Sequence, residues 1–297
     1  KFGEGLLSFK NSKFYNSKFE KKKEKPNRSI RRQGAESFIN FESSIFGEGK
    51  IDFTRADLGS GDISFSNASF DKRDLLFVGA EFNTARLSFK SMDFRNGSLD
   101  FHYANFDRAN LIFDRAGFRS GIVNFSATEF NHGKISFNRT EFKKIELIFE
   151  SCELKKGDII FKNNLLSIGA LDFSSMQCLS SNILFENVDF GKFTASFLKT
   201  TINKLSIKSC HINAYFNLQL LQCKNLDLSN TVVRDIVDMK PIGFKTDIGL
   251  LNLSGLLLLG HLYIDWKINR HKELIHNQDT THRVRSEQYR ILKENYH

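Results

Sequence analysis

The sequence predicts an all-β fold, a parallel β-helix or solenoid of about 24 residues per coil, closed at its C-terminal end by an α-helical segment. Three observations predict it. The 297 residues hold 31 Phe against 1 Trp and 6 Tyr, with only 2 Pro, as if one aromatic slot were copied many times. The phenylalanines recur every twelve residues. Apolar residues also fall in pairs two apart, the spacing that puts both side chains on one face of a strand.

One Phe series runs Phe41, Phe53, Phe65, Phe77, Phe89, Phe101 and onward at every twelfth position to Phe197. A second series lies five residues later, at Phe46, Leu58, Phe70, Phe82, Phe94, Phe106, Phe118, Phe130 and Phe142, with Leu154, Leu166 and Cys178 continuing it. An aliphatic residue precedes the first series by two, as in Ile51, Leu75, Leu99 and Leu147. A small one precedes the second, as in Ala56, Ala80, Ala104, Thr128 and Cys152. The unit reads aliphatic-x-Phe-x-x-Ala-x-Phe-x-x-x-x, with polar x positions facing out. Gly61, Gly97, Gly121, Gly133 and Gly157 fall in the four-residue spacer, where corners are expected. A twelve-residue turn is too narrow for two Phe and an aliphatic side chain at close-packed density, so two units make one coil.

The repeat begins at once. Phe2-Gly3-Glu4-Gly5, followed by Leu7 and Phe9, matches Phe46-Gly47-Glu48-Gly49, followed by Ile51 and Phe53, so residues 1–14 are an N-terminal solenoid repeat. Residues 15–37 interrupt the pattern and read as an inserted basic loop. Ten basic and two acidic residues between Lys10 and Arg32 supply most of the net charge of +9, leaving the remainder close to neutral. Lys21, Lys22, Lys23, Lys25, Arg28, Arg31 and Arg32 are the candidate contacts to an anionic surface. The segment lacks interleaved Tyr or Trp for base stacking, so lipid headgroups are preferred over nucleic acid; a solvated charge run is the plainer alternative.

Residues 38–265 form the main solenoid. After Phe197 the period slips, with Leu205 and Ile207 only ten residues beyond their expected precursors; Leu226, Leu228, Thr231 and Val233 restore the template. Leu251, Leu253, Leu256 and Leu258 fill the four inward slots again. Asn252, His261 and Asp265 interrupt the apolar run from Ile248 to Trp266, which therefore reads as a coil rather than a membrane span. From residue 266 to 297 the pattern turns helical. Val284, Ile291 and Leu292 stand at i, i+7 and i+8, flanked by Tyr289, on a helix expected to cap the solenoid or to bind a partner.

The second pair recurs as Ala68-Ser69-Phe70, Ala80-Glu81-Phe82, Ala104-Asn105-Phe106 and Ala116-Gly117-Phe118. It resembles the A-[DN]-[LF]-x-x motif of pentapeptide-repeat proteins, over roughly residues 38–260. The resemblance implies a right-handed quadrilateral β-helix, although faces here alternate five and seven residues where that family uses five throughout. One branch of the family acts on type II topoisomerases by mimicking DNA and needs an acidic surface, which this near-neutral body does not offer. Another comprises bacterial membrane-associated proteins in which the solenoid precedes a helical linker and an ion-channel-like segment. The stretch Glu287-Gln288-Tyr289-Arg290-Ile291-Leu292-Lys293-Glu294-Asn295-Tyr296 is similar to their linker. The resemblance thus implies a cytoplasmic domain, attached to the inner face of the membrane through segments absent from this chain, serving as scaffold or sensor.

Chemistry is hard to find in the sequence. Neither phosphate-binding glycine spacing nor a Gly-x-Ser-x-Gly elbow occurs. His102, His132 and His211 lie in different repeats, with no Ser, Cys or carboxylate at a spacing that implies a triad, and read as surface residues. His271, His276 and His282 do not form a helical i, i+4 metal pair. Cys152 and Cys210 occupy small inward slots and Cys178 a Phe slot, as packing groups of a reducing compartment. The expectation is a non-enzymatic protein without cofactor or small-molecule substrate, whose partners are a protein, or itself, through faces or ends. The alternatives are a soluble protein- or nucleic-acid-binding module and a self-assembling structural protein.

Overall fold

The computed structural model describes residues 2–14, 37–59, 61–83, 86–265, 274 and 281–294. It is an all-β parallel solenoid of about nine turns with about 24 residues each. Among the described residues the strands form two parallel sheets, and each coil contributes to both. Gly117–Asn124 and Glu141–Ile148 are neighbours in one sheet, with Phe118 beside Phe142 and Val123 beside Leu147. Glu129–Asn138 and Glu153–Lys162 are neighbours in the other, with Phe130 beside Leu154 and Ile135 beside Ile159. Partners are 24 positions apart because two units make a coil.

The interior is made of stacked rings. Phe53, Phe77, Phe101, Phe125, Phe149, Phe173 and Phe197 stack with centroids 4.8–5.0 Å apart. Phe65, Phe89, Phe113, Phe137, Phe161 and Phe185 form a second column at 4.6–5.3 Å. These steps are the rung spacing of a parallel sheet, ~4.8 Å. The two columns meet edge to face, as at Phe65–Phe77 (6.3 Å, 77°) and Phe173–Phe185 (6.3 Å, 83°), the arrangement the ring quadrupole favours. Each fully buried Phe contributes roughly 1.5–3 kcal/mol by transfer from water.

The sharp turns lie elsewhere than the glycines suggest. They fall in the two residues between Phe and the small slot, where Tyr103, Arg115, Ala127, Arg139 and Ser151 adopt φ of 52–62°. The small-slot N–H closes many of these turns onto the Phe carbonyl, as from Thr128 to Phe125 (3.2 Å) and from Ala104 to Phe101 (2.8 Å). The residue between aliphatic and Phe is often Asp or Asn because its side chain accepts from the N–H two residues on, as Asp100 does from His102 (2.9 Å) and Asn124 from Ser126 (2.9 Å). The four-residue spacer, expected as a corner, is continuous strand in the central coils. It must nevertheless return Val123 to the face of Phe118, five residues away, against the period of two. Gly121 absorbs that flip at φ 129°, and a Cβ there would collide with the Gly97 carbonyl.

Two irregularities have simple register. Leu7 pairs with Ile51, 44 positions on, so the first coil carries 20 residues more than the usual 24. Strand pairing has resumed at Ser37–Asn40, where Ile39 meets Ile63. After residue 183 the coils shorten and then lengthen: Ile183 meets Leu205, Leu205 meets Leu226, and Leu226 meets Leu251. Slots are kept throughout, with Leu251 and Leu253 wholly buried and Leu256 nearly so.

Candidate functional site

Among the described residues the inward slots are filled by buried side chains, and the polar and charged groups lie mostly at the ends, turns and walls. At the C-terminal end helix α1 (His282–Glu294) is started by Thr281, whose Oγ1 accepts from the Val284 N–H at 3.5 Å. Ile291 and Leu292 are buried in the solenoid core, Tyr289 packs half-buried against it, and Val284 is half-buried. Gln288 is wholly buried, and its Oε1 accepts from the main-chain N–H of Leu253 at 3.1 Å. In preceding coils the corresponding N–H donates to a carbonyl of the next coil, as Leu228 does to Asn252 (2.8 Å). A side-chain carboxamide therefore takes the place that a next-coil carbonyl holds at Leu228. Sequence reasoning passed over Gln288; its signal is a polar residue within the apolar stripe, four positions after Val284 and three before Ile291.

Arg73 was also missed. It takes the spacer position held by Gly49 and Gly97 in the adjoining coils, and it is 2% exposed. Its guanidinium donates to the carbonyls of Gly47 (2.8 Å), Lys50 (3.3 Å), Glu48 (2.7 Å) and Gly3 (2.7 Å), joining the first coils to the third. Burial lowers its pKa from the ordinary arginine value. No carboxylate is among these partners; four oriented carbonyl dipoles carry the compensation.

Small inward slots do similar work. Thr128 Oγ1 donates to the Phe101 carbonyl (2.9 Å), Thr140 to Phe113 (2.7 Å) and Thr200 to Phe173 (2.5 Å), each reaching the carbonyl of the preceding coil. The four cysteines are buried free thiols. Burial pushes Cys152 and Cys210 up to about 12 and Cys223 to about 11, and raises Cys178 further, with Coulomb repulsion from Cys223 added.

His102 does have a serine beside it. Its Nδ1 lies 2.7 Å from Ser126 Oγ and 3.0 Å from the Ser126 carbonyl, because residues 24 apart are neighbours on successive coils. Ser126 Oγ in turn donates to Asn124 Oδ1 at 2.7 Å, so its proton is committed to an amide oxygen. Oriented that way, Ser126 and His102 form a turn-bracing pair that joins two coils, not an activated nucleophile. Two outer grooves of about 280 Å³ lie over Asn163, Asn187, Asp189 and His211, and over Arg86, Asn110 and Lys134. Among the described residues no group of three or more His, Cys, Asp or Glu could hold a metal ion. Lys21, Lys22, Lys23, Lys25, Arg28, Arg31 and Arg32, the expected anionic-surface contacts, lie outside the described residues.

Compared with known proteins, the chain matches no family model and no curated protein. Among the described residues no helix is long and apolar enough to cross a membrane.

Proposed function

We propose that this chain is a rigid, non-enzymatic scaffold that presents its walls, ends and inserted loop to other macromolecules. The observation that carries this reading is the buried interior: inward slots between Phe46 and Leu253 are occupied by stacked rings, aliphatic side chains and small Ala, Thr and Cys residues. A tube with that core resists bending and holds its outer residues at fixed intervals, which suits spacing or recognition better than turnover.

The proposal extends to the setting. The pentapeptide-like motif and the linker-like C-terminal helix support a cytoplasmic domain of a larger, membrane-associated bacterial protein, with a sensor role in an ion-channel-like protein as the most specific form. The concentration of positive charge at Lys21, Lys22, Lys23, Lys25, Arg28, Arg31 and Arg32 favours an anionic lipid surface as the loop's partner. The test is removal of residues 15–36, followed by binding to vesicles with and without phosphatidylserine and to duplex DNA. Loss of binding to anionic vesicles alone supports the membrane reading. Loss of DNA binding alone supports the second reading, a soluble nucleic-acid-binding module. Unchanged binding to both removes the loop from the function.

A further inference from the structure

One corner of the solenoid is longer than its core requires. Phe216 meets Val237 and Cys223 meets Ile248 on successive coils. The chain goes from Phe216 to Cys223 in seven steps, but from Val237 to Ile248 in eleven. Four residues have been added, and the slots on either side stay filled, with Val237, Met239 and Ile248 buried. The addition falls in the stretch Lys240-Pro241-Ile242-Gly243-Phe244-Lys245, none of which is buried. Ile242 is 85% exposed, the most exposed large apolar side chain among the described residues.

The segment has a fixed shape. At its start the Lys240 N–H donates to Asp238 Oδ1 (2.9 Å), and at its end the Asp247 N–H donates to the Leu221 carbonyl (3.0 Å). Pro241 fixes its own φ, and Gly243 takes φ 81°, a value that suits glycine. Ile242 is held outward between them. Phe244 is half-buried, with Lys199 Nζ 5.8 Å from its ring centroid, and Leu221, at the foot of the segment, is 41% exposed. Lys199, Lys240 and Lys245 are all exposed, and none is ion-paired among the described residues. The acids on either side are engaged by neutral groups: Asp238 accepts from Gln219 Nε2 (2.7 Å) and the Tyr215 hydroxyl (3.2 Å), and Asp247 from Gln222 Nε2 (3.2 Å).

An aliphatic side chain held outward, with free lysines around its base, is a convex feature. A folded protein would have to offer a matching hole, whereas a lipid surface yields to the shape that enters it. At a bilayer interface an aliphatic apex reaches the acyl boundary, an aromatic ring sits at headgroup level, and lysine stems extend back to the phosphates. We infer that residues 240–245 are a shallow membrane-insertion loop. Ile242 enters the acyl boundary of an anionic bilayer, and Lys199, Lys240 and Lys245 meet its phosphates. This rests on the membrane setting proposed above, but on none of the residues between 15 and 36.

The experiment puts a reporter at the apex of the whole chain. Trp266→Phe combined with Ile242→Trp leaves a single tryptophan, at position 242. Its emission is followed on phosphatidylcholine vesicles with and without phosphatidylserine, with bromine carried on the acyl chains. A blue shift and quenching are expected on the vesicles that contain phosphatidylserine. In the otherwise unchanged chain, Ile242→Ser is expected to weaken binding to those vesicles about tenfold or more, with the urea midpoint unchanged. Lys240→Glu with Lys245→Glu is expected to weaken it at least as far. Vesicle binding without quenching, or Ile242→Ser that binds as tightly as wild type, overturns the inference and leaves the membrane setting standing. Absence of any binding to anionic vesicles by the whole chain overturns both.

Discussion

Phe101 illustrates how much rests on one slot. Its ring is wholly buried, stacked between Phe77 and Phe125 at 5.0 and 4.8 Å and tilted against Phe106. Phe101→Ala should leave a cavity that the rigid rungs above and below cannot close, costing about 3–5 kcal/mol, read as a fall in urea midpoint at constant slope. The thiols make a second prediction at this scale. Their folded pKa values are raised, so the neutral form is favoured in the fold, and an unfolded thiol ionises near pH ~8.5. Their stability contribution is complete below that value and falls as pH rises towards the folded values of about 11 to 12. Native protein should resist iodoacetamide at pH 8, and replacing Cys152 with Ala should flatten the stability loss measured between pH 9 and 11. Rapid alkylation of the folded chain would contradict the burial. The Phe slots were legible because each side chain repeats at a fixed interval. Arg73 was not, because one arginine among outward polar residues carries no periodic mark, and its role exists only once three coils are stacked.

Among elements, the turns and the end helix decide how the coils begin and stop. The twelve-residue period revealed where turns must occur but assigned them to the glycine-bearing spacer. Glycine marks the spacer because a Cβ would strike the neighbouring coil there, whereas the left-handed turns accept Ser, Asn, Arg and Tyr at the modest cost of that conformation. The helix was legible from Val284, Ile291 and Leu292, but its hydrogen bond to the solenoid was not, since helical periodicity cannot report a contact between Gln288 and a strand 35 residues earlier. Gln288→Ala leaves the Leu253 N–H buried without a partner and should cost about 1–3 kcal/mol. Hydrogen exchange should localise that loss to the last coil, with Leu253 becoming the most exposed of the inward-slot amides. Arg73→Met should weaken the opposite end by about 2–3 kcal/mol, seen as faster exchange at Gly5–Ser8 with the central coils unchanged.

For the whole molecule, the same period that builds the core makes the coils interchangeable. Apart from the reach of Arg73 to Gly3, the described coils are joined mainly to their immediate neighbours, so stability is close to a sum over coils and their interfaces. The scaffold reading depends on this, because a rigid body of repeated rungs holds its surfaces in fixed register. The most direct measurement removes one coil. Deleting residues 101–124 joins Asp100 to Phe125 and keeps every slot in phase; deleting 101–118 joins Asp100 to Arg119 and breaks it. Far-UV circular dichroism and urea unfolding should show the first variant folded and cooperative, and the second disrupted. Equal disruption of both, or equal tolerance of both, would contradict the coil architecture on which the functional reading stands.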